Sequence, residues 1–555
     1  MKLNQDKINF HSWGAIIILF GLAVYVVGIF ITLMEPDATV YADISMEMAR
    51  SNNFFEIKLK GADWLDKPHF QFWITAVFFK VLGINNLGYK LPGILFSLLA
   101  TYYVYLFGKR FYSKKHGIIA AIFLMTAEHI IISNNDVRAE PYLTCFTIFS
   151  LYYLAIYLDN KKMIHLILGS LGLAILLMTK GLYSIIPVAS GIGITLILQK
   201  KWKEILHWQW LLVMVLTLIM ISPTLIAYYY QFDLHPEKEF FGTKGVSGIK
   251  FFFWDSQWGR FTNVGPIKGK GDLFFFFHTL LWAFAPWSLL AYSSFFRKTR
   301  LIISGQNTYE NYTFFGFLFT FIIFSLSRFQ LPHYLNQLFP FLAILSAFVL
   351  IEASRNRTFL KAHYFLMISI IIIFIVLTGL LHLFYFNTIP HIDVILVTFT
   401  GITVSFFYIV KNRTFIKRII IPPALIILSV NYYLNRQFYP DLLKYQSESE
   451  LAFYMIKEQL PTDDLLTFEK LQWSTDFYLK KTIPNVNDGD LSRVKLNDHL
   501  VFTDQKGIEK LEDFGYRMEI IKEIDDFHVT GLTGSFINLS TRESTLTKTY
   551  LVYIQ

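Results

Sequence analysis

EPDATVYADISMEMARSNNFFEIKLKGADWLDKPHFQFW, residues 35–73, is the stretch on which the reading of this chain turns. It follows the first long apolar run and is too polar to cross a membrane. It opens on Glu35 and Asp37 and closes on Asp66-Lys67-Pro68, set among aromatics. Acids and a cation held beside hydrocarbon point to chemistry at a membrane surface. The rest of the chain then reads as a scaffold that holds this loop over a lipid-facing cavity.

Composition supports that scaffold. Of the 555 residues, 54% are hydrophobic and only 16% charged, with a mean hydropathy of +0.43. A soluble protein carries roughly 25% charge, so lipid must solvate most of this chain. The 56 Phe and 31 Tyr suit side chains that line lipid tails and belt the interfaces. A net charge of +9 raises nucleic acid as a partner, but the basic residues fall mainly in loops between apolar runs, so no nucleic acid is expected. With Cys145 as the single cysteine, no disulfide can close within the chain, and neither a zinc site nor a thiol mechanism is expected.

Apolar runs of spanning length recur near 13–33, 91–108, 117–134, 141–158, 163–180, 182–199, 208–229, 273–296, 312–328, 333–352, 364–386, 391–411 and 418–434. That makes about thirteen transmembrane helices by the criterion of ~20 apolar residues each. The first reads as a retained helix rather than a cleaved signal. If the spans alternate, KRFYSKK (109–115), DNKK (159–162), QKKWK (199–203), RKTR (297–300), SRNRTFLK (354–361) and KNRTFIKR (411–418) share one side, and the positive-inside rule makes it cytoplasmic. The other side holds the loop 35–90, the link 134–140, the loop 230–272, the turn 330–333 and everything past about 435. The basic residues of 230–272 run against that rule. They read either as a solvated loop or as a patch that attracts an anion.

The expected fold class is therefore a polytopic α-helical membrane protein, with a transmembrane domain over 1–434 and an extracytoplasmic α/β domain over 435–555. In the latter, Ser447-x-x-Glu450 reads as a capping box. LLTF (465–468), LVFT (500–503), RMEIIKEI (517–524) and TYLVYI (549–554) read as strands, and 505–514 as a helix closed by Gly515. No phosphate loop or metal spacing occurs there, so a supporting or regulatory role is the default.

Ionisable side chains at membrane depth cost about 2.5–3.5 kcal/mol each at a helix centre. Asp37, Asp136, Arg138, Glu140, Lys180 and Arg328 all sit at span ends on the outer side. Single charges at helix ends are commonly snorkelling anchors; acids and bases from several helix ends at one face suggest a shared site. Acids plus cations suit transfer of a group from a lipid phosphate: a carboxylate takes a proton from an acceptor hydroxyl, and cations neutralise the departing phosphate. Without a P-loop, a nucleotide donor is not expected.

PDATVYADISMEMA followed by WLDKPHFQFW resembles the first outer loop of the C-type membrane glycosyltransferases (GT-C fold). The nearest branch is that of the bacterial aminoarabinose lipid A transferases and their protein mannosyltransferase relatives. The resemblance continues through DVRAEPYLTCF (136–146), LLMTKGLYSIIP (176–187), WGRFTNVG (258–265), APWSLL (285–290) and SLSRFQLPHYLNQLFP (325–340), covering roughly residues 10–350. It implies Asp37 as catalytic base and Glu140 as a second acid, with Asp136 an alternative equivalent. It implies Lys67, beside Asp66, as the donor-phosphate lysine, and Lys180, Arg260 and Tyr334 as lining of the same pocket. Three departures are visible. Ala38 stands where the family has a Glu, His69 where it has a second Pro, and Gln330 where it has a Lys, for which Arg328 is the nearest substitute.

The expected function is transfer of a sugar, with inversion, from a polyprenyl-phosphate-linked donor to a lipid A-like lipid, a glycan or a protein at the periplasmic face of a bacterial inner membrane. Membrane lipids are its surroundings. No cofactor is required by this scheme; a divalent metal between Asp37 and Glu140 is an open alternative that Ala38 weakens. The rival from another class is a flippase for lipid-linked sugars, which should line both halves of a pathway with charge. A purely structural membrane protein leaves the acids unexplained. No motif bears on oligomeric state or on which sugar is carried.

Overall fold

Apolar runs without interior breakers become helices because lipid leaves backbone groups no other partners. The computed structural model describes residues 10–262, 268–307, 309–412, 414–470, 473–490 and 496–555, apart from the side chains of 10–12, 260 and 490. From the N-terminus come α1 (Phe10–Ile29), α2 (Asp37–Ser51), α3 (Phe70–Leu82), α4 (Asn86–Phe111), α5 (Lys114–Met125), α6 (Glu128–Asn135), α7 (Glu140–Asn160), α8 (Met163–Lys180), α9 (Ile186–Leu198) and α10 (Gln209–Tyr228). They are followed by α11 (Phe275–Ala283), α12 (Ser288–Ile303), α13 (Tyr312–Leu326), α14 (Phe339–Glu352), α15 (Arg357–Tyr385), α16 (Ile392–Lys411) and α17 (Phe415–Tyr433).

Among the described residues eight helices are long and apolar enough to cross a membrane, nine if α5 and α6 form one span bent by 52°. Four shorter apolar helices stand beside them, over 13–29, 70–82, 182–198 and 312–326. Two expected spans are not continuous helices. The 117–134 run breaks at Thr126-Ala127, and the 273–296 run divides into α11 and α12 around Pro286, whose ring nitrogen has no hydrogen to give. The breaks answer one another: the Glu128 N–H donates to the Ala285 carbonyl at 3.0 Å. The count of thirteen is thus not reached by length and composition. The loop 35–90 also holds an apolar helix, α3, of 13 residues, or about 20 Å at 1.5 Å per residue.

α4 lies against α5 and α7, and α7 against α8. At the α4–α5 crossing the backbones nearly touch: a Cβ at Gly117 would sit 2.4 Å from the Tyr105 carbonyl. The basic loops gather at one end of the bundle. Arg110 pairs with Asp159 at 3.1 Å, Lys161 with Glu204, and Arg297 Nε donates to Glu352 at 3.0 Å. The Tyr112 hydroxyl donates to Glu310 at 2.7 Å.

At the opposite end lie α2, α3 and a sheet. Its strands are β1 (Leu465–Phe468), β2 (Asn485–Val486), β3 (Leu500–Asp504), β4 (Met518–Asp526) and β5 (Thr547–Ile554), in the order β2-β1-β3-β5-β4. β1 runs parallel to β2 and β3, while β5 is antiparallel to β3 and β4. Helices α18 (Ser447–Lys457), α19 (Ser474–Leu479) and α20 (Gln505–Asp513) accompany it. All four strands expected from sequence are present. The capping box is not formed: Ser447 is the first residue of α18, and its hydroxyl donates to Asp526 at 2.6 Å.

Candidate active site

Asp37 opens α2 directly after Pro36, and Tyr41 follows one turn later on the same face. Lys67 and Asp66 close the same outer loop, just before α3. The Asp136–Ala139 link carries Arg138, and Glu140 is the first residue of α7. Lys180 ends α8, where Gly181 takes φ +84°, a conformation that favours glycine; a Cβ there would also meet Gln257 at 2.3 Å. Gln257 Nε2 donates to the Lys180 carbonyl at 3.4 Å, which ties the Ser256–Thr262 helix to the end of α8. His333 and Tyr334 come from the helical turn Pro332–Leu338.

These residues line one cavity of about 130 Å3, whose walls include Asp37, Tyr41, Lys67, Arg138, Glu140, Lys180, His333 and Tyr334. Five of the eight expected residues are thus brought together: Asp37, Lys67, Glu140, Lys180 and Tyr334. Asp136 stands behind the wall, where its Oδ2 accepts from Arg138 Nε at 3.0 Å and pairs with Nη2 at 2.7 Å. Arg328 is exposed and outside the lining; its backbone N–H donates to the Phe261 carbonyl at 3.3 Å. The side chain of Arg260 lies outside the described residues.

Each acid in the cavity is matched to a cation. Arg138 pairs with Asp37 through Nη1 while Asp136 holds its other edge. Burial works against the guanidinium charge, but Asp136 and Asp37 outweigh it and raise its pKa. Glu140 and Lys180 form a pair at 2.6 Å, with both side chains almost wholly buried. His333 Nε2 approaches the same Glu140 oxygen at 3.7 Å, and the Lys180 ammonium sits 4.4 Å from the Tyr334 ring centre. Lys67 pairs with Asp66 at 2.7 Å. Burial pulls its pKa down to about 8, against the pull of Asp37 and Glu140.

Sequence reasoning left Arg138 without a role and passed over His333. Arg138 could have been found from its place between two acids in DVRAE; His333 carries no comparable signal. The divalent metal left open between Asp37 and Glu140 gains no support from the donor groups. Among the described residues no three His, Cys, Asp or Glu are grouped to hold a metal ion, and Asp37 and Glu140 already face Arg138 and Lys180.

Beside this cavity runs an apolar groove of about 560 Å3, lined by Leu182, Ile186, Trp254, Trp258 and Phe324 among others. It shares Phe329 and Tyr334 with the polar cavity. A charged pocket and an apolar groove thus stand side by side and share one pair of aromatic side chains.

Comparison with known proteins agrees with this architecture. Residues 66–227 match the family model described as dolichyl-phosphate-mannose-protein mannosyltransferase. A Pseudomonas fluorescens protein named undecaprenyl phosphate-alpha-4-amino-4-deoxy-L-arabinose arabinosyl transferase 1 is 25% identical over 309 residues, which is 55% of this chain and 51% of that relative. A Pseudomonas aeruginosa transferase of the same name is 24% identical over 62% of this chain and 60% of its own length, so the aligned part spans little more than half of these relatives. An uncharacterized Aquifex aeolicus protein is 23% identical over 78% of this chain and 79% of its own. In fold, the chain superposes on ArnT from Cupriavidus metallidurans, solved with undecaprenyl phosphate bound, with a TM-score of 0.75 at 16% identity over 98% of both chains. An archaeal oligosaccharyltransferase from Archaeoglobus fulgidus gives 0.52 at 11% identity, over 86% of this chain and 64% of that one.

The fold is that of the GT-C membrane glycosyltransferases. Within that class, the family model it matches and the named relatives it resembles are those of protein mannosyltransferases and aminoarabinose transferases.

Proposed function

We propose that this chain moves a sugar from a polyprenyl-phosphate-linked donor to a hydroxyl of a lipid A-like lipid or other glycan or protein acceptor, at the periplasmic face and with inversion at the anomeric carbon. The observation that carries this reading is the shared wall. The polar cavity holds acids and cations beside an apolar groove of about 560 Å3 with which it shares Phe329 and Tyr334, an arrangement suited to a phosphate on a long hydrocarbon. The relatives named for undecaprenyl-phosphate donors, and the fold shared with a protein that binds undecaprenyl phosphate, support it. The named relatives are transferases, and a flippase has no counterpart among them.

In this mechanism the acceptor oxygen attacks the anomeric carbon in line with the bond to the donor phosphate. The acceptor–carbon bond forms, the carbon–phosphate-oxygen bond breaks, and the hydroxyl proton passes to Asp37. Arg138 engages Asp37 Oδ2 and leaves Oδ1 to take that proton, so the ion pair aims the base. Lys67 and Lys180 face the phosphate that departs with the polyprenol, where fixed cations stabilise growing charge. Glu140, locked to Lys180, acts as the ammonium's anchor rather than as a second base. The departing phosphate monoester needs no strong general acid.

Purified protein given polyprenyl-phosphate sugar and an outer-membrane glycolipid should release free polyprenyl phosphate only when the acceptor is present. Movement of donor across a vesicle without that release would sink the transferase reading.

A further inference from the structure

The stretch Leu33–Pro36 that delivers the chain into Asp37 is held by residues more than four hundred positions away. The Leu33 N–H donates to the Tyr478 hydroxyl at 2.9 Å, and that hydroxyl donates to Asn86 at 3.0 Å. Gln446 brackets the same strap: its Nε2 donates to the Leu33 carbonyl at 3.0 Å and its Oε1 accepts the Glu35 N–H at 3.0 Å. Glu35 in turn accepts the Ser474 N–H at 2.8 Å and the Trp473 N–H at 3.4 Å. Leu33 and Gln446 are buried, so these bonds are shielded from water.

The grip extends along α2. Arg50, at its far end, donates to the Lys480 carbonyl. Lys60, on the following hairpin, pairs with Asp476 at 2.8 Å. Buried Phe477 lies between Phe79 and Tyr89, with ring centres 6.0 and 6.4 Å away.

We propose that the C-terminal sheet domain is the positioning element for Asp37, with Gln446, Tyr478 and the Ser474 amide as the positioning groups and Glu35 as their handle. This rests on Asp37 serving as the base. A one-ångström misplacement of a reacting group can cost about 10²-fold in rate, and Glu35, the last tethered residue of the strap, stands two positions before Asp37.

The test uses the full chain. Gln446→Ala should lower kcat by roughly ten- to a hundredfold, leave the donor KM within about twofold, and speed amide exchange at Leu33 and Glu35 while the strands keep their protection. Glu35→Ala should behave alike, and Glu35→Gln, which keeps an acceptor oxygen for Ser474, should restore near-normal turnover. Should Gln446→Ala unfold the sheet, Tyr478→Phe, which deletes one hydroxyl, carries the same test. Faster exchange at Leu33 with an unchanged kcat would overturn the positioning role. A kcat indifferent to Asp37→Asn would remove the base assignment, and the positioning of a base with it, while the exchange data still report the grip.

Discussion

Lys67 and Lys180 reach their charges by different routes, and they should fail differently. Lys67 is held down to about 8 by burial. Its ammonium is the form that faces phosphate, so it is present below that value and lost as pH rises through it. We predict that kcat/KM for the donor, which reports the free enzyme, declines above about pH 8. Lys67→Arg, always charged, should move that decline upward. Lys180 is bound into a buried pair with Glu140. Breaking such a pair from one side typically costs about 3–5 kcal/mol because the other charge is left uncompensated. Lys180→Met should therefore lower the unfolding midpoint in detergent sharply. The double variant with Glu140→Gln should recover most of the stability but none of the turnover, and recovered turnover would contradict the phosphate role. Lys180 was legible in sequence because charge at a span end needs a reason, and Lys67 because it stands in the Asp66-Lys67-Pro68 triplet of the polar outer loop. Arg138 was visible only as a charge: its ion pair with Asp37, 101 positions away, depends on how α2 meets the α6–α7 link, which no local pattern encodes.

Helices and strands were legible wherever a run was long and uniform, and misread where breaks in two runs support each other. The broken spans 117–134 and 273–296 read as continuous because apolar content survives the break; Pro286 in the second run and the contact between Glu128 and Ala285 together explain why neither closes into one helix. α3 was hidden for the opposite reason, being apolar but too short to meet a spanning criterion. The α4–α5 crossing makes a sharper test. A methyl group on Gly117 has no room against the Tyr105 carbonyl, and backbone cannot swing aside as a side chain can. Gly117→Ala should destabilise by about 1–3 kcal/mol, as overpacking does, measured as a fall in the detergent unfolding midpoint. α2 carries a second test. Asp43 is buried against the sheet domain with neither carboxylate oxygen hydrogen-bonded. Burial first, then the charge of Asp476, push its pKa upward, and burial lifts Asp476 itself to about 6. Acids raised in the folded state hold their protons to higher pH there than in the unfolded chain, so these two contribute stability at low pH that is lost as pH rises from their unfolded values of roughly 4 through the raised ones. The unfolding midpoint should drop between pH 5 and 7.5, and drop less in Asp43→Asn.

At the scale of the whole molecule, the account requires the cavity and the sheet to share one face and the basic loops the other. Residue 463, with its Asp side chain 91% exposed, should as a cysteine react with an impermeant reagent on intact spheroplasts. A cysteine at Lys201 should react only after permeabilisation. Buried Cys145 keeps the background low, and the reverse pattern would put the site on the cytoplasmic side. The expectation of this sidedness comes from charge alone, because six basic loops agree. The grip of the sheet on the strap before Asp37 was not, because it joins residues too far apart in sequence for any window. The central claim remains that Asp37, aimed by Arg138, takes the acceptor proton. The most direct measurement is single-turnover transfer by Asp37→Asn with donor binding measured on the same preparation. The account predicts donor affinity within about threefold of wild type and a transfer rate lower by the ~10²–10⁴-fold that general base catalysis contributes. Transfer at the wild-type rate, with donor bound as tightly, would contradict it.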